Sequence, residues 1–123
     1  MEPTLTDRES DVMQILWQHG PCLVAEVRSR LADPLAYTTV LTILRILEAK
    51  GFVGHTEEGR GHRYFPKVEE MAARRNALRH LTEKLFQGSS ELLLTHMVTE
   101  QLDAGQIEHL RELLAKRSDE EPR

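Results

Sequence analysis

Thr38, Thr39, Thr42 and Arg45 recur at offsets that gather them on one side of a helix. Threonine hydroxyls donate to phosphate or base edges, their methyls pack on thymine, and an arginine reaches a guanine or a phosphate. Three threonines this close lower helix propensity, so they need a reason beyond solubility. Tyr37, Thr38 and Thr39 also stand in the first turn, where free amides and the positive dipole end suit a phosphate. A second group, Arg60, His62 and Arg63, surrounds Gly61 and suits backbone or minor-groove contact. The neighbouring Glu57 and Glu58 offset this charge, as they would in a merely solubilising loop.

Other chemistries find little support. The histidines at 19, 55, 62, 80, 96 and 109 show no metal-binding spacing, and one cysteine cannot build a thiolate cage. His62 is expected to order its surroundings rather than ligate metal, and His96 and His109 are placed to approach each other across a dimer. No nucleophile stands beside a recognisable base, there is no phosphate loop, and no acidic pair has catalytic context. Neither an enzyme nor a cofactor is expected.

The elements that must position these residues are legible from period and caps. Thr6-Asp7-Arg8-Glu9 reads as a capping box, opening a helix with Val12, Met13, Ile15 and Leu16 inward and ending at Gly20-Pro21. A second helix runs from about Val24 to Leu31, with Leu23 where a capping Ser or Thr would normally stand. The third runs from Tyr37 to Lys50, burying Val40, Ile43, Leu44 and Leu47 and ending at Gly51. Phe52–Thr56 and His62–Phe65 then read as strands of a hairpin around a polar loop, Glu57–Gly61. Trp17 and Tyr64 are expected in the core.

The remainder reads as three amphipathic helices without a sheet. Leu78, Leu81, Leu85, Leu92, Leu94, Met97, Val98, Ile107, Leu110 and Leu114 supply more apolar surface than three short helices bury alone. The economical expectation is that they pair with a second copy of the chain. The fold class is therefore mainly α with a small β-hairpin. The expected organisation is a winged helix-turn-helix over 1–66, a helical dimerisation region over 67–117 and a disordered tail over 118–123.

With 123 residues, 40% hydrophobic and 29% charged, the chain has room for one ordinary domain or a small domain with an appendage. Cys22 is expected as a reduced, partly buried thiol. The start, Met1-Glu2-Pro3-Thr4, lacks signal-peptide character, and no apolar stretch suffices to span a bilayer, so a cytoplasmic location is expected. The net charge of −4 argues at first sight against a phosphate partner. Its distribution weakens that objection: residues 1–66 hold 7 Lys+Arg and 9 Asp+Glu, and Arg45 to Arg63 holds 4 basic against 3 acidic.

The blocks Leu5-Thr6-Asp7-Arg8-Glu9, Ala36-Tyr37-Thr38-Thr39-Val40-Leu41-Thr42, Leu47-Glu48-Ala49-Lys50-Gly51-Phe52-Val53 and Gly61-His62-Arg63-Tyr64 resemble the penicillinase-repressor (BlaI/MecI/CopY) family over nearly the whole chain. The resemblance implies a homodimeric repressor. Each winged helix would read half of a palindromic operator in double-stranded DNA, with contacts at Thr38, Thr39, Thr42 and Arg45. Position 46, often basic in relatives, is Ile46, which implies one such contact fewer. Some relatives answer to an upstream sensor through cleavage at an Asn-Phe pair; Thr95-His96 stands there instead. The Cys-x-Cys motifs of copper-responsive relatives are absent from this sequence. The competing reading of the same elements is a winged-helix protein–protein interaction module that does not bind DNA.

Overall fold

Thr6 opens the first helix. Its hydroxyl accepts from the Glu9 amide at 3.3 Å, and the Glu9 carboxylate accepts from the Thr6 amide at 2.8 Å. The computed structural model describes residues 4–120; Met1 to Pro3, which belong to the signal-peptide expectation, lie outside the described residues. Helix α1 spans Asp7–His19, and Gly20, at φ 78°, closes it with its amide on the Leu16 carbonyl. There follow β1 (Cys22–Leu23), α2 (Val24–Arg30), α3 (Tyr37–Ala49), β2 (Val53–Glu58) and β3 (Gly61–Pro66).

The strands form one antiparallel sheet in the order β1-β3-β2. The two-residue β1 was not visible in the sequence, where Cys22-Leu23 reads only as the approach to α2. It becomes a strand by pairing with a distant segment, Cys22 opposite Tyr64 and Leu23 opposite Arg63. Its neighbour α2 lacks a capping hydroxyl, as expected, but the Glu26 carboxylate makes the reverse half of a capping box by accepting from the Leu23 amide at 2.8 Å.

Three helices close over this sheet around one core. Val12, Met13 and Leu16 of α1, Val27 of α2, Val40, Leu44 and Leu47 of α3, and Cys22, Val53 and Tyr64 of the sheet are essentially inaccessible to solvent. Cys22 is thus fully buried rather than partly so. Trp17 is only half-buried against the core, with its indole N–H donating to the Val68 carbonyl at 2.9 Å.

The chain forms two compact units, the first ending at Leu78 and the second beginning at Arg79. Val68 packs on the core while its carbonyl accepts from Trp17, and α4 (Glu70–Leu85) begins two residues later.

The second unit contains α5 (Ser90–Glu100) and α6 (Ala104–Glu120). The Ser89 hydroxyl caps α5 by accepting from the Leu92 amide. Asp103 and Gln106 form a reciprocal box at the start of α6. The disorder expected from residue 118 is corrected in part, because α6 continues through Ser118, Asp119 and Glu120. No glycine or proline interrupts the chain between Gly105 and Pro122. Residues 121–123 of the expected tail lie outside the described residues.

Candidate nucleic-acid interface

Helix α3 is presented by its packing. Val40, Ile43, Leu44 and Leu47 are buried, which turns Thr38, Thr39, Thr42, Arg45 and Ile46 outward as the helical period requires. The segment entering α3 is held by Arg28, whose Nε donates to the Leu35 carbonyl at 2.8 Å. Ala36 caps the helix without a side-chain hydrogen bond, so its first amides have no capping acceptor. Tyr37 stands beside them, exposed. All five α3 residues singled out from the sequence therefore share a solvent-facing surface.

One expected chemistry changes within that surface. The Thr42 hydroxyl donates back to the Thr38 carbonyl at 2.9 Å. Its proton is committed inside the helix, and Thr42 offers outward a methyl and the lone pairs of its oxygen.

The hairpin is tighter than the sequence suggested. Glu57 and Glu58 belong to β2 and Gly61 opens β3, so the turn is Gly59-Arg60 rather than a five-residue loop. Gly59 has φ 62°, the sign required at the first central position of a primed two-residue turn. Arg60 stands at the tip, exposed.

Arg63 is engaged within the protein. Its guanidinium donates to both carboxylate oxygens of Glu58, to Glu26 at 3.3 Å and to the Pro21 carbonyl at 3.2 Å. Most of its donors are thus engaged inside the protein, tying the hairpin to Pro21 and α2, whereas Arg60 is exposed at the tip. The Glu58 hydrogen bond raises the Arg63 pKa above its usual value, and Arg63 in turn holds the Glu58 carboxyl below its own. The Leu23 amide, with help from the Arg63 charge, lowers Glu26 as well.

His62 orders the hairpin. Its ring stacks on His55, with centroids 4.3 Å apart and planes 13° from parallel. His55 Nδ1 lies 2.6 Å from Glu48 Oε2 near the end of α3. The chain Glu48–His55–His62 couples the hairpin to α3. Sequence reasoning passed over Glu26, Glu48, His55 and Arg28. Only Glu26 carried a local signal, three residues beyond the helix-preceding Leu23; the Arg28–Leu35 and Glu48–His55 pairs each bridge the end of a helix and the segment after it.

At the base of α3, Lys50 donates to the buried Glu9 carboxylate at 2.7 Å. Burial would raise the Glu9 pKa, but Lys50 and the Thr6 groups outweigh it and hold the carboxyl below its usual range.

The apolar residues of the helical half remain largely uncovered. Leu78, Leu81, Leu85, Leu92, Leu94, Met97 and Leu114 are exposed, while Val98, Ile107 and Leu110 are half-buried. In the second unit, Leu94, Met97, Leu110 and Leu113 contribute to a cleft of about 520 Å³. Thr95 and His96 lie within α5, both exposed.

Three helices, a short third strand and a hairpin following the third helix define a winged helix-turn-helix protein. The penicillinase repressor family model matches residues 5–116, and the chain belongs to that family, whose members are transcriptional repressors and not enzymes. It is 35% identical to the transcriptional regulator BlaI of Mycobacterium tuberculosis over 117 residues, covering 91% of this chain and 83% of that one. The solution structure of the DNA-binding domain of the repressor BlaI matches 57% of this chain and 88% of its own, with 32% identity and a TM-score of 0.52. The Bacillus licheniformis BlaI monomer in complex with the blaP half-operator matches 58% and 90%, with 31% identity and a TM-score of 0.50. No helix among the described residues is long and apolar enough to cross a membrane.

Proposed function

We propose that this chain is a dimeric repressor that seats α3 in the major groove of a palindromic promoter operator and sets its hairpin on the adjacent backbone or minor groove. The observation that carries the reading is the outward face of α3, where Thr38, Thr39, Thr42 and Arg45 stand in solvent over a fully packed core. Tyr37, the α3 amides and Arg60 supply phosphate contacts. His62 acts by holding the hairpin, and Arg63 by bracing it. The BlaI half-operator complex supports this use of the fold.

The exposed leucines support pairing through the helical half, since soluble monomers rarely leave large contiguous apolar patches in water. Pairing makes the second half-site an intramolecular event and raises operator affinity without new contacts. A seated dimer represses by excluding polymerase. An upstream sensor or protease would act by weakening the pair, with Thr95-His96 in place of the Asn-Phe bond. The proposed site of action is the cytoplasm.

The test is retardation of the gene's own promoter DNA by the full chain across a salt series. Sequence-specific binding with a steep negative slope of log affinity against log salt supports the repressor. Absent or salt-insensitive binding contradicts it and favours a protein-interaction module.

A further inference from the structure

Ile46 is a large apolar side chain on the surface proposed to meet DNA, 44% exposed and outside the core cluster. It stands one turn beyond Thr42, so the two are neighbours on the same side of α3. Thr42 has committed its proton to the Thr38 carbonyl, so it offers a partner its methyl group and its oxygen lone pairs but no donor. This part of α3 therefore presents carbon where base-reading helices commonly present donors. Arg45, also exposed, supplies the polar contact beside it.

In the major groove, the base feature complementary to carbon is the 5-methyl group of thymine; cytosine presents an amino donor and the purines present acceptors or an amino group. We infer that Ile46, with Thr42 beside it, is a specificity-determining residue that reads thymine methyls in each operator half-site. This inference rests on the proposed seating of α3 in DNA and adds the base chemistry that α3 selects. A lone exposed isoleucine needs no special explanation on an ordinary surface. Here it continues the α3 face proposed to lie against base edges, where an unmatched apolar group would strip water from donors and acceptors without replacing their hydrogen bonds.

The experiment uses the full chain and a duplex that it selects from a random-sequence library. Each thymine of that duplex is then replaced singly by deoxyuridine, which lacks only the 5-methyl group. The wild-type chain is expected to lose about fourfold in affinity for each methyl it reads, the equivalent of one buried methylene-sized group. The Ile46→Ala chain binds more weakly and no longer distinguishes thymine from deoxyuridine at that position. At the position read by Thr42, Thr42→Val keeps the distinction and Thr42→Ser loses it. Circular dichroism of the variants confirms the fold. Selective, salt-sensitive binding that is unchanged by every deoxyuridine overturns the methyl reading alone. Failure to select any duplex overturns both that reading and the proposed seating on DNA.

Discussion

The two compact units treat their apolar residues in opposite ways. In the first, α1, α2, α3 and the sheet bury Met13, Leu16, Val27, Leu44, Leu47 and Tyr64 against one another. In the second, neither α5 nor α6 contains a buried residue, although both are rich in leucine. Leu85 of α4 is 72% exposed, whereas Leu44 of α3 is inaccessible. Leucine is common to both units, so hydrophobicity alone does not tell them apart. The first encloses its own core and has polar residues to spare on α3; the second has an apolar surface that the proposed second copy would cover.

That contrast can be broken at the helical end with the largest effect. Leu94→Asp places a carboxylate on the proposed pairing face, where an unpaired charge is costly to bury. The expected result is a monomer in sedimentation, with operator affinity reduced by about a hundredfold or more through lost avidity. A wild-type dimer would remove Leu94 from the pairing surface.

A matched pair of truncations sharpens the contrast. Leu44→Ala should cost about 2–5 kcal/mol in denaturant unfolding, as expected for a cavity in a packed core. Leu114→Ala, at a side chain 55% exposed, should cost the separated chain no more than about 0.5 kcal/mol. Its effect should emerge as weaker pairing, measured by dilution. Equal unfolding costs would erase the distinction between the units.

The next effect lies in the ion pair beneath α3. Lys50→Met leaves the buried Glu9 carboxylate with the Thr6 groups alone and should cost about 1–3 kcal/mol. The pH dependence has a definite sign. Glu9, Glu26 and Glu58 have folded-state pKa values below their ordinary 4.5, so near that pH the unfolded chain binds more protons than the folded one. Their stabilisation is complete above the ordinary carboxylate range and is lost as pH falls through the folded values. Melting temperatures from pH 7 down to pH 3 should therefore fall, and Lys50→Met should flatten that fall.

The smallest effects separate α3 from the hairpin. Arg45→Ala should weaken operator binding by about 1–3 kcal/mol and relax selectivity at one position if it reads a base. Arg60→Ala should weaken all duplexes about equally and reduce the salt slope by about one. Quantitative retardation on operator and scrambled duplexes reads both.

The elements legible in the sequence were those governed by neighbours in the chain. The Thr6–Glu9 box, the buried side of α3 and the two long strands all follow from spacings of two to four residues. What was missed depended on partners far along the chain. Cys22-Leu23 is a strand only because Tyr64 and Arg63 lie opposite. The neighbouring Glu58 was visible as a counter-charge to Arg63, but nothing nearby in sequence announced Pro21 and Glu26 as its further partners. Trp17 is only half-buried, and the partner of its indole N–H, the Val68 carbonyl, lies far along the chain. The composition of α3 was readable, but the internal bond of Thr42, which turns part of its face from donor to methyl, required the rotamer.

The most direct test of the proposed division of labour is sedimentation equilibrium of the full chain, free and on a palindromic duplex selected by the protein itself. Two chains are expected in the free particle and two per palindrome. The Leu94→Asp chain is expected to remain folded, run as a monomer and occupy isolated half-sites weakly. A single wild-type chain binding the full palindrome as tightly as the expected pair would contradict that division.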